Sequence, residues 1–116
     1  MQIVRLYSDE VGQSHFEDLE PHMPVDGAAA LLEASGVVGI RRHGPGGQAA
    51  WHNAPRRQYV VMLEGKMELE ASDGTSRRFG PGDVLLVEDV TGVGHVTRTL
   101  GTAQRVLLDI PVVTDA

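Results

Sequence analysis

Five histidines are the side chains in this 116-residue sequence whose ordinary titration falls near neutral pH. An imidazole there can give or take a proton, or donate a lone pair to a borderline metal ion. His15 and His22 lie in the N-terminal segment and carry no spacing signal. His43 stands at a loop edge beside Arg41 and Arg42, where an exposed histidine is expected. His52 and His95 fall among short apolar runs. Cysteine is absent, which excludes a disulfide framework, thiolate metal ligation and a cysteine nucleophile.

The acids outnumber the bases by 16 to 10, for a net charge of −6, and nine of the ten bases are arginine. No basic run is present. Such a chain is a poor partner for nucleic acid or an anionic membrane, because the phosphate attraction is missing. The opening Met1-Gln2-Ile3-Val4-Arg5-Leu6-Tyr7 does not read as a signal peptide. No segment approaches the ~18 apolar residues of a membrane span, so a soluble cytoplasmic protein is expected.

The elements that must position these histidines are short strands. Fourteen glycines and six prolines punctuate the apolar runs, as in a β protein with many tight turns. Aromatic residues make up only 4%, so the core falls to Val, Leu, Ile, Met and Ala. Strands are predicted over 2–7, 15–20, 37–42, 49–53, 58–63, 67–71, 77–79, 84–87, 95–100 and 104–110. Met67, Leu69 and Ala71 alternate with polar residues and should share a buried face. Asp26 to Gly36 is the one helix-like stretch, read as a turn or two of helix or a loop over a barrel mouth; 21–36 is a candidate lid. With no linker or repeat, residues 1–116 read as one all-β domain, a sandwich or closed barrel.

Gly46 is followed by His52, Ala54, Gln58 and Gly65; Gly82 is followed by Gly92, His95 and Thr99. This pattern over Gly46 to Thr99 resembles the two motifs of the cupin superfamily, with Ala54 and Gln58 replacing a histidine and a glutamate. Val90 and Thr99 replace the second motif's proline and asparagine. The resemblance implies a cupin-type β-barrel (a jelly roll, or double-stranded β-helix) with a short irregular or helical N-terminal insert. It also implies a lumen site in which His52, Gln58 and His95 are what remains of a metal-ligand set.

If His52 faces that lumen, alternation brings in Ala54, Gln58, Val60 and Met62 from one side and Thr97 and Thr99 from the other. Two histidines and a neutral amide are a weak donor set, since catalytic metal sites normally use three or more protein ligands. Either no cofactor or one divalent transition metal is therefore expected. Without a metal, His52 and His95 would act as acid and base, with Gln58 orienting one of them or a substrate carbonyl. That suits a non-redox isomerase, cyclase or lyase; the alternatives are a non-catalytic ligand-binding protein and a metal-dependent oxygenase.

The remaining expectations are more local. Pro55 marks a bend, with Arg56 and Arg57 expected in solvent; unbroken alternation would instead turn Arg56 into the lumen, to meet an anionic substrate. Trp51 and Tyr59 should face outward, and Asp83 should serve the Gly80–Asp83 turn. The resemblance also implies a homodimer, since cupin-like barrels often pair through N-terminal strands such as that at 2–7. Outward Trp51, Tyr59, Val61 and Leu63 would need a cover from the second sheet or from a partner.

Overall fold

The computed structural model describes residues 1–19, 34–46 and 48–113. These form ten strands: β1 (Ile3–Ser8), β2 (Ser14–Asp18), β3 (Gly39–His43), β4 (Gln48–His52), β5 (Gln58–Glu64), β6 (Lys66–Ala71), β7 (Ser76–Phe79), β8 (Val84–Val87), β9 (His95–Leu100) and β10 (Arg105–Pro111). No helix occurs among the described residues. All ten predicted strands are present, with ends shifted by one or two positions. The proposed lid at 21–36 and His22 lie outside the described residues, except for Ala34 to Gly36. Ala34 bridges Val112 and the Ser35 N–H donates to the Pro111 carbonyl at 2.8 Å, a strand-like rather than helical pairing, before the bend at Gly36.

Two sheets share the strands. One has six in the order β2-β1-β8-β5-β10-β3, and the other has four in the order β4-β9-β6-β7. Every pairing is antiparallel except β1 with β8. Alternation sends one face of each sheet inward. Val4, Leu6, Val60, Met62, Leu85 and Leu107 from the larger sheet meet Met67, Leu69, Ala71 and Phe79 from the smaller in one apolar cluster. β6 shows the rule most plainly, with Met67, Leu69 and Ala71 buried and the residues between them less so.

β1 lies inside its sheet, hydrogen-bonded to β2 on one side and β8 on the other. Both edges of the N-terminal strand are therefore occupied within the chain, so it offers no free edge to a second copy. The expected outward faces hold for Trp51, 46% exposed, and Leu63, 45% exposed. Tyr59 and Val61 are only partly exposed.

Candidate functional site

Strands of both sheets bound a cavity of about 500 Å³, with His52, Gln58 and His95 on its wall. Its apolar lining comes chiefly from Val60, Leu69, Leu85, Val87 and Leu107, and its polar lining from Arg41, His43, Arg56, Thr97, Arg105 and Asp109. His95 is buried, whereas His52 sits exposed at the mouth.

A β-bulge brings the two imidazoles together. Ala49 pairs with Thr97, but the register then slips by one in β4, so that His52 rather than Trp51 stands opposite His95. Without that extra residue, the unslipped count would place the indole at this position. The ring centroids are 4.5 Å apart, tilted by 57°. Gly94 permits the approach: its φ is +82°, and a Cβ there would overlap the His52 carbonyl group.

Each imidazole is held by its Nδ1. That of His95 donates to the Asp89 carboxylate at 2.5 Å, and that of His52 to the Ala50 carbonyl at 2.7 Å. These acceptors fix the tautomer, leaving both Nε2 atoms without a hydrogen-bond partner among the described residues. Asp89 is fully buried, and its second oxygen has no partner among the described residues. The loop from Asp89 to Gly94 is itself clamped. The Asn53 amide donates to the Asp89 and Gly92 carbonyls, the Ser14 hydroxyl to the Gly94 carbonyl, and the Val93 N–H to the Gly12 carbonyl.

Gln58 is buried at the start of β5, where its Oε1 accepts from Arg56 Nε at 3.1 Å. The two arginines expected in solvent thus part company. Arg57 faces outward, pairing with Glu88 and donating to the Val113 carbonyl at 3.0 Å. Arg56 is exposed but folds back over the cavity mouth. The bend at Pro55 breaks the strand, so side-chain pairing rather than alternation decides where each guanidinium goes.

Val60 and Thr97 line the cavity as expected, but Met62 and Thr99 do not. Each is on the expected face, two residues too far along. Met62 is 1% exposed and belongs to the apolar cluster. Thr99 pairs with Met67, whose longer side chain lines the cavity at that level. His43 is exposed, as expected, and it ends β3 on the cavity rim rather than lying in the loop. Partial burial, and then the charges of Arg105 and Arg41, push its imidazole below the ordinary value of 6.5. Asp83 is structural as expected, accepting the Gln2 and Gly80 N–H groups, each at 2.9 Å.

Sequence reasoning missed four charged residues, Arg41, Asp89, Arg105 and Asp109. Asp89 carried no motif signal, although an acid six positions before His95 in a glycine-rich loop was a visible clue. Arg105 and Asp109 sit on the buried face of β10 with Leu107, so period-2 alternation anchored on Leu107 would have found both. Asp109 pairs with Arg41, one bond being 3.0 Å from Nη2 to Oδ1. Arg105 is 8% exposed and has no carboxylate partner among the described residues. Its Nη1 meets the Met67 sulfur at 3.3 Å, and its Nε meets nothing. Burial, helped by the charge of Arg41, pushes its guanidinium below the usual range. Leaving such a donor unpaired costs about 1–3 kcal/mol, more when it is charged.

A divalent metal fits this wall poorly. The described residues contain no group of three or more His, Cys, Asp or Glu placed to hold one. The amide oxygen in the third ligand position is already engaged by a guanidinium, and two more guanidiniums, of Arg41 and Arg105, line the same space. A dication would meet two imidazoles and a positive field.

No curated protein matches the sequence. Among solved structures, a cupin domain from Bordetella pertussis Tohama I is similar, with 24% identity and a TM-score of 0.51 over 66% of this chain and 80% of that one. That likeness concerns the fold. A family model described as the EutQ-like cupin domain matches residues 34–103, more than half of the chain, and the protein therefore belongs to that cupin family.

Proposed function

We propose that the cavity binds a small molecule and moves a proton on it, as a non-redox isomerase, cyclase or lyase does. One observation carries this: two imidazoles, each anchored through Nδ1, present unbonded Nε2 atoms to one cavity with their rings 4.5 Å apart. The pair works when it carries one proton beyond the two on its Nδ1 atoms. His95, oriented by Asp89, takes a proton from the substrate at Nε2. His52, protonated at the mouth, returns one at a different atom. The carboxylate behind His95 fixes its tautomer and offsets the charge that develops on it, the role such a third group plays in acid–base constellations. Gln58 presents its amide to the substrate from beside Arg56. No step is routed through a metal.

The test is turnover across a panel of small enolisable oxo-acids, followed by proton exchange in deuterium oxide. His52→Ala and His95→Ala should each lower the rate about 100-fold or more, the usual scale of general acid–base catalysis. Binding with no exchange above the buffer rate supports a ligand-binding protein instead. Turnover unchanged in the double variant sinks the proposal. Metal content of protein purified without chelator should be substoichiometric and unaltered by His52→Ala; stoichiometric metal lost in that variant would restore the oxygenase reading.

A homodimer belongs to the same proposal, supported by exposed Ile40 on the edge strand β3 and by Trp51 and Leu63. A monomeric mass by light scattering at micromolar concentration refutes it. No helix among the described residues is long and apolar enough to cross a membrane. A cytoplasmic location remains part of the proposal.

A further inference from the structure

Resting on the cavity as the working site, we propose that Arg105 is an anion subsite for the carboxylate of a small monocarboxylic acid with an apolar body. A buried guanidinium with no acid beside it is half of an ion pair, and the missing half is a ligand's. Among the described residues its polar contact is the weak one to the Met67 sulfur, and it lines the same cavity as both imidazoles. The placement is built in by the fold. Gly65 has φ +77°, and a Cβ there would lie 2.9 Å from the Arg105 Cα, so only glycine lets the β5–β6 turn close against this residue.

Charge selects an anion. Three guanidiniums, of Arg41, Arg56 and Arg105, line the cavity against the one lining carboxylate, of Asp109, while Asp89 behind the wall is taken by His95. A phosphate held at Arg105 would press its remaining oxygens against apolar side chains. The floor selects the rest of the ligand, because Val60, Leu85 and Leu107 offer it nothing to hydrogen-bond. A carboxylate held at Arg105 places the remainder of the molecule across this floor, toward the imidazoles.

The test uses hexanoate, hexanamide and inorganic phosphate, with binding followed by calorimetry. Hexanoate should bind at least about tenfold more tightly than hexanamide, and Arg105→Gln should remove that advantage while Arg105→Lys keeps part of it. In protein labelled at arginine, the Arg105 Nε–H resonance should shift as hexanoate is added to the wild type, a readout that needs no variant to fold. The His52→Ala/His95→Ala protein should still bind hexanoate, so failure of the acid–base reading leaves this result intact. Equal binding of acid and amide, phosphate binding as tightly as hexanoate, hexanoate affinity unchanged in Arg105→Gln, or an unmoved Nε–H signal would each overturn the subsite.

Discussion

Asp89→Asn isolates the carboxylate behind His95 without changing its shape. In the native chain one oxygen accepts from His95 Nδ1 at 2.5 Å and the other, buried, accepts from nothing among the described residues. An amide must put its NH2 group in one of these two places. Facing the empty side, it strands a buried donor at a cost of about 1–3 kcal/mol. Facing His95, it donates to Nδ1, moves the imidazole proton to Nε2, and leaves its oxygen where an unpartnered oxygen already sits. The second arrangement adds no new unpaired group, so it should prevail. His95 then presents a donor to the cavity where the native residue presents a lone pair. Stability should not fall. A charge-assisted bond becomes a neutral one, losing about 1 kcal/mol, while a buried charge that costs several kcal/mol to desolvate disappears. We expect a Tm no lower than that of the native chain. Long-range proton–nitrogen NMR of the imidazole ring, which distinguishes the two tautomers, reads the switch directly, and turnover should fall about 100-fold or more. A His95 ring still protonated at Nδ1 in the variant, with native turnover, would refute the reasoning.

Three further outcomes follow from the geometry. Gly94→Ala puts a Cβ into the His52 carbonyl at a positive φ, and the conformational strain alone should cost at least about 1–2 kcal/mol in denaturant unfolding; a change under about 0.5 kcal/mol would show that β4 and β9 have slack. Met62→Ala should cost about 2–5 kcal/mol of stability but leave hexanoate affinity within twofold, because Met62 packs the core and not the cavity wall; a lost affinity with unchanged stability would reverse that assignment. His15, bonded to Asp9 at 2.7 Å and Asp73 at 3.0 Å, ties the β1–β2 turn to the β6–β7 turn. The Asp9 hydrogen bond foremost holds His15 above its ordinary 6.5, while the partnership lowers Asp9 below its ordinary 3.8. The histidine's contribution is complete below 6.5 and fades as pH rises through the raised value; the carboxylate's is complete above 3.8 and fades as pH falls through the lowered one. Replacing His15 with Gln should therefore flatten the decline of Tm as pH rises past 6.5, and an unchanged slope would refute the link.

The sequence by itself settled what depends on local spacing. Turn glycines at 46, 65, 82 and 92, the alternation of Met67, Leu69 and Ala71, and histidines set on two motif strands follow from the two-residue period and from which turns require glycine. With the motif resemblance, that was enough for the fold and for placing His52, His95, Gln58 and Val60 on one wall, but the bulge in β4 that sets His52 opposite His95 was visible only in the structure. Only the tertiary structure decided where the lumen stops, since the same period that placed Val60 and Thr97 also pointed to Met62 and Thr99, two residues past the cavity. It also decided the charges. Asp89 reaches His95 through a loop pinned by residues 8–14, and Arg56 parts from Arg57 because Glu88 takes one of them. Among the described residues Arg105 is left without a carboxylate because Asp109, on the same face, is held by Arg41 from the neighbouring strand. Which acid meets which base depends on strands far apart in sequence, and no local period carries that information.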